Sequence, residues 1–137
     1  MAESRRESPR SRPLLGNQHR LLSFVYLGSF EKGWKDLRLS EDDLRDLEGM
    51  ILKRPEIGVI MEGTGGLRKC RFAPAKGGGG KSGSERVCYA FFPFPGLVLM
   101  VTVFGKDDKD NLSPAERSQI KAMLAGFEAR LKKGGSQ

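Results

Sequence analysis

Residues 86–104 read RVCYAFFPFPGLVLMVTVF, and this stretch decides the fold. The segment 86–92 is rich in aromatic and β-branched residues and predicts a strand. The segment 97–104 is apolar at nearly every position, the pattern of a central strand covered on both faces. Pro93, Pro95 and Gly96 predict the turn between them. Working outward, LRKCRFA at 67–73 and the aromatic, β-branched run at 22–27 read as two further strands. Phe30, Trp34 and Leu37 recur at helical spacing and predict a short helix. Ser40 and Asp43 form a capping box ahead of a second helix, with Leu44, Leu47 and Ile51 on one face and Pro55 as its stop. Ser113, Pro114 and Glu116 open a last helix whose apolar face is Ile120, Met123, Leu124, Phe127 and Leu131. The expected class is α+β: two N-terminal helices packed on a mostly antiparallel sheet, plus a C-terminal helix.

The chain has 137 residues, enough for one core and a tail. Residues 1–20 are rich in Arg and Ser, have no hydrophobic period, and are expected to be a disordered basic tail. They lack the pattern of a targeting signal. Residues 21–132 form the expected domain, and 133–137 a frayed tail. No apolar run is long enough for a membrane-spanning helix. Two cysteines, Cys70 and Cys88, and one histidine, His19, exclude a disulfide framework and a four-ligand zinc site. Neither metal nor cofactor is expected, and both thiols are expected buried and reduced.

The 24 Lys and Arg against 17 Asp and Glu leave a net charge of +7, which favours an anionic partner such as nucleic acid. The excess is uneven. Residues 1–22 carry +3, residues 30–56 carry −2, residues 60–90 carry +4 and residues 105–137 carry +2. The block 60–90 matters most, because it falls on predicted strands. In LRKCRFA, alternation sends Cys70 and Phe72 to the core, with Arg68 at the strand edge, and sends Lys69 and Arg71 to the other face. Arg86 opens the next strand and is expected across from them, on one open face suited to phosphate. The segment AKGGGGKS at 75–82 resembles a phosphate-binding loop, but a strand follows it where that loop needs a helix. It reads as a flexible hairpin loop. Base stacking by Tyr89 or by an exposed Phe is a further option.

Three stretches carry a family resemblance: EGTGGLRKCRFA at 62–73, GKSGSERVCYAFF at 80–92 and LMVTVFGKDDKDNLSPAE at 99–116. With the leading LSEDDLRDLEGMILKRPEIGVI, they resemble the RelE/ParE superfamily of toxins, in its HigB-like branch. The resemblance implies a small RelE-like fold and a type II toxin–antitoxin system. It implies a cytoplasmic mRNA interferase, a ribosome-dependent endoribonuclease that halts translation. Lys69, Arg71 and Arg86 match the family's catalytic basic residues. Arg68, Lys81, Lys106 and Lys109 are expected to bind RNA. The implied partners are the ribosome, mRNA and an antitoxin with a helix-turn-helix domain. Operator DNA would be reached only through that antitoxin.

Such chemistry uses the ribose 2′-OH as nucleophile on the adjacent phosphate. Arg71 and Arg86 suit stabilisation of the phosphorane charge. Lys69 is the expected general base, and the general acid is open between an arginine, a lysine and a ribosomal group. Two alternatives stand beside this reading: a ParE-like gyrase poison, and a catalytically degenerate module that binds RNA or antitoxin.

Overall fold

The computed structural model describes residues 22–75, 84–105 and 112–135. Five strands form one mixed sheet: β1 (Ser23–Tyr26), β2 (Val59–Ile60), β3 (Arg68–Phe72), β4 (Glu85–Phe92) and β5 (Leu97–Gly105). Three helices accompany them: α1 (Gly28–Asp36) and α2 (Glu41–Lys53) between β1 and β2, and α3 (Pro114–Gly135) after β5. The sheet order is β1-β5-β4-β3-β2, with β1 parallel to β5 and every other pair antiparallel. This is the expected α+β arrangement. The apolar run 97–104 is the spine of the sheet, bonded on one side to β1 and on the other to β4.

Each face of the sheet has its own core. On one face, Phe24, Tyr26, Cys70, Phe72, Val87, Tyr89, Val98, Met100 and Val103 pack under α1 and α2, against Phe30, Trp34, Leu44, Leu47 and Ile51. Five rings run in sequence through this core, Phe24, Tyr26, Phe30, Trp34 and Phe72, with successive centroids 5.4–6.5 Å apart. Aromatic pairs at such spacing add stability beyond their buried area. On the other face, Cys88, Ala90, Leu99, Val101 and Phe104 pack with Met61, Leu67, Leu112 and Leu124. Here α3 supplies the cover, and of its apolar stripe only Leu124 is deeply buried.

Both capping boxes form. The Ser40 hydroxyl accepts from Asp43 N (3.0 Å) and the Asp43 carboxylate accepts from Ser40 N (2.9 Å). Ser113 and Glu116 do the same at α3, at 3.1 and 2.8 Å. Each satisfies backbone donors that a helix start leaves open. Residues 133–135, read from sequence as tail, are helical.

Two local features seat α1 on the sheet. A β-bulge falls on β5: Cys88 pairs with Thr102 and Tyr89 with Met100, which leaves Val101 without a cross-strand partner. The Ser29 hydroxyl, in the first turn of α1, donates to the Val101 carbonyl at 2.5 Å. One turn along, Gly33 lies so close to the Val103 carbonyl that any Cβ would collide with it. Glycine is required there by the close approach of helix and strand.

The strand β2 was not expected. It is two residues long, both exposed, at the sheet edge, and it exists because Val59 and Ile60 pair with Lys69 and Arg68.

Candidate nucleic-acid interface

The basic residues of β3 divide between the two faces, as strand alternation requires. Lys69 stands opposite Cys88 and Arg71 stands opposite Arg86, all on the α3 side. On β5, Arg86 is flanked by Phe104. The three cations therefore occupy the end of that face farthest from the β4–β5 turn. Lys69 has Val59 and Cys88 as its cross-strand neighbours. Like charges directly opposed across strands cost stability, by roughly 0.2–1 kcal/mol. Two arginines in this position need a reason other than folding.

Their exposure differs from the open face that the sequence suggested. Arg71 is exposed and Lys69 half-buried, but Arg86 is only 8% exposed. Arg86 lies on an interior strand, between β3 and β5, and Phe104 beside it is buried too. Its Nη1 donates to the Ser84 carbonyl at 3.0 Å. The guanidinium is thus held against its own strand start, while Arg71 opposite reaches solvent.

Arg68 is not part of this group. It lies on the opposite face, where its Nη1 donates to the carbonyls of Gly58 (2.7 Å) and Glu56 (3.3 Å). Its contacts hold the segment between α2 and β2. Tyr89 serves the same segment and is unavailable for base stacking. Its side chain is fully buried, its hydroxyl donates to the Pro55 carbonyl (2.8 Å) and it accepts from Gly58 N (2.9 Å). Burial pushes the Tyr89 phenol up to about 12. A Cβ on Gly58 would come within 2.9 Å of the Arg68 Cβ and 3.1 Å of the Tyr89 ring and hydroxyl, so this glycine is fixed by the approach of both. Lys81, Lys106 and Lys109 lie outside the described residues.

Both thiols are buried, as expected, and burial pushes Cys70 up to about 11. They stand on neighbouring strands but in different cores, one on each face of the sheet. Among the described residues no three His, Cys, Asp or Glu side chains gather as a metal site, and no helix is long and apolar enough to cross a membrane.

The α3 face is closed beside the basic group by contacts that the sequence did not signal. Arg117 donates from Nη1 to the Glu62 carbonyl (2.8 Å) and from Nε to the Leu112 carbonyl (3.4 Å). Thr64, fully buried, donates to the Met61 carbonyl and accepts from Leu67 N, which shapes the EGTGG turn that Arg117 grips. A cavity of about 280 Å³ lies between α3 and the β5 bulge, lined by Leu27, Val101 and Met123 and by the polar Thr102, Glu116 and Gln119. The three cations do not line it.

No family model matches the chain. Among solved structures it is similar to the free-state form of an arginine-to-alanine double mutant of the E. coli toxin RelE. That similarity has 17% sequence identity and a TM-score of 0.42, and covers 68% of this chain and 90% of that chain.

Proposed function

We propose that this chain is the toxin of a type II toxin–antitoxin system and acts as a ribosome-dependent mRNA endonuclease. The observation that carries the proposal is the Arg71–Arg86 pair, directly opposed across β3 and β4 with Lys69 on the same face. Such a pair favours an oxyanion over an apolar or cationic ligand. A guanidinium can hold two phosphate oxygens and stays protonated throughout. The residues that resemble the RelE/ParE superfamily are the strands that bring this pair together, which supports RNA as the source of the phosphate.

In the proposed reaction the 2′-oxygen forms a bond to phosphorus and the bond from phosphorus to the 5′-oxygen breaks. Lys69 takes the proton from the 2′-OH. Arg71 and Arg86 stabilise the charge that builds on the phosphorane. The leaving 5′-oxygen is protonated by a lysine, an arginine or a ribosomal group. The products are a cyclic phosphate and a free 5′-OH. The partners of this reading are the ribosome with its mRNA, and an antitoxin that covers the basic face by a salt-dependent attraction.

The test is induction in cells, followed by mapping of mRNA 5′ ends and, in parallel, an assay for DNA breaks. In-frame cuts within codons, lost in Arg71→Ala and reduced in Arg86→Lys, are the expected outcome. Arg86→Lys is chosen because Arg86 is buried and its loss to alanine risks the fold. DNA breaks without RNA cuts would instead indicate a gyrase poison. Growth arrest without either would indicate binding without chemistry.

A further inference from the structure

The cavity of about 280 Å³ between α3 and the β5 bulge has no part in the proposed reaction. Its position follows from the strand register. Thr102 lines it and stands opposite Cys88, while Phe104, the next residue of β5 on that face, stands opposite Arg86. The cavity wall and Arg86 thus share one face, separated by two residues of strand, about 7 Å, and by one strand spacing, about 5 Å. Pockets for larger ligands run to roughly 300–1,000 Å³, so this one suits a single ring system rather than a coenzyme. The bulge points the same way. Bulges gather beside functional sites, where they re-aim a strand, and this one puts Val101 into the cavity wall.

The lining combines two kinds of surface. Leu27, Val101 and Met123 give apolar walls that fit the faces of a planar ring, and a methionine sulfur packs well against aromatic rings. Thr102, Glu116 and Gln119 add polar groups. Glu116 and Gln119 are three residues apart on α3 and so share a side of it. Their turn of helix is pinned. Ser113 N donates to Glu116 Oε1 at 2.8 Å, and the adjacent Arg117 donates to the Glu62 and Leu112 carbonyls. A carboxylate has about four acceptor positions, so it can close the cap and also meet a ligand. Its charge repels phosphate. The cavity therefore does not extend the anion site of the arginines; it suits a neutral group that carries N–H donors.

We propose that this cavity takes the nucleobase beside the phosphate held by Arg71 and Arg86, with the ring between the apolar walls and its N–H edge on the Glu116 carboxylate. The proposal rests on the RNA reading of the arginine pair and adds base selectivity to it. Unpaired bases are read on such edges. A carboxylate only accepts, so it ranks bases by what they donate. Guanine presents two adjacent N–H groups, and adenine and cytosine each present an amine. Uracil presents one N–H between two carbonyls, which the carboxylate repels, so uracil is the base that the cavity disfavours most. Gln119 carries both a donor and an acceptor and can bond to the others.

The test uses the full chain and two 2′-O-methyl trinucleotides, UUU and UGU, which lack the nucleophile for cleavage and so report binding alone. Affinity is measured by calorimetry, and occupancy of the cavity by the NMR signal of the Met123 methyl. UGU should bind roughly 10- to 100-fold more tightly than UUU, the range for a hydrogen bond to a charged group, and should shift the Met123 methyl further. Glu116→Gln keeps a side chain that closes a capping box. It should bring the two affinities together while thermal unfolding stays close to that of the natural chain. Arg71→Ala should weaken both trinucleotides alike and keep their ratio. Equal affinities in the natural chain, or a ratio that Glu116→Gln leaves as it was, would overturn the proposal. So would a Met123 methyl that moves with protein concentration and not with UGU, the mark of a second copy in the cavity. If mRNA is not cleaved while the UGU preference holds, the endonuclease reading falls and the base pocket stays. If mRNA is cleaved without that preference, the base pocket falls alone.

Discussion

On one face of the sheet, five aromatic rings and two helices bury Cys70 and Phe72 of β3 and Val87 and Tyr89 of β4, while Arg68, Glu85 and Phe91 at the margins are half-buried. On the other, a single helix covers part of the surface and leaves Arg71 in solvent beside a buried Arg86. The same two strands supply both faces, so the difference lies in what their alternate residues meet. Arg68 and Arg71 show it most directly. They are three residues apart on one strand, yet Arg68 ties a loop by its backbone carbonyls while Arg71 faces its like charge. Stability is concentrated under α1 and α2, and the α3 face can carry a charge arrangement that folding does not favour.

The comparison can be broken by removing matched groups from each side. Phe30→Ala takes a ring from the middle of the aromatic series and should cost about 3–5 kcal/mol in denaturant unfolding. Ile120→Ala, on the half-buried stripe of α3, should cost only about 1 kcal/mol. Equal losses would mean that the two faces contribute alike.

The second pair concerns the two arginines. Arg71→Ala should change unfolding free energy by no more than about 0.5 kcal/mol and lower RNA cleavage by roughly 100-fold or more. Arg68→Ala should do the reverse, losing about 1–2 kcal/mol of stability with cleavage retained. Tyr89→Phe belongs with Arg68, because it leaves the Pro55 carbonyl and Gly58 N–H without their partner. A loss of about 1–3 kcal/mol is expected, again with cleavage retained.

A separate effect appears only in alkaline solution. Folding raises Cys70 from 9.0 to about 11 and Tyr89 from 10.0 to about 12, both chiefly by burial. The folded state therefore holds these protons more tightly than the unfolded state. Their contribution is complete below pH 9 and is lost as the pH rises through 11 and 12. Unfolding midpoints should fall across that window, and Cys70→Ala should lessen the fall at its lower end. In the same native samples at pH 8, a thiol reagent should modify Cys70 and Cys88 only on unfolding.

Much of this was legible before the structure. Ser40 with Asp43 and Ser113 with Glu116 mark helix starts because the signal is local, spanning three residues. The apolar run at 97–104 announced a strand covered on both sides, and alternation in LRKCRFA assigned the faces of β3. The misses depend on distant residues. β2 has too few residues to show a period and exists only through pairing with β3. Tyr89 looks available for stacking until the Pro55 carbonyl and Gly58 N–H, more than thirty residues earlier, are brought to its hydroxyl. Arg86 looks exposed until β5 is placed beside it, since strand order is not written in any one strand.

The most direct measurement is cleavage of mRNA on programmed ribosomes by the purified chain and by Arg71→Ala, with the fragment ends identified chemically and folding checked by thermal unfolding. Fragments with 5′-OH and cyclic phosphate ends from the natural chain, and a loss of roughly 100-fold or more in equally folded Arg71→Ala, are the expected result. Equal cleavage by both proteins, or no cleavage by the natural chain, would contradict an RNA-cleaving role for the paired arginines.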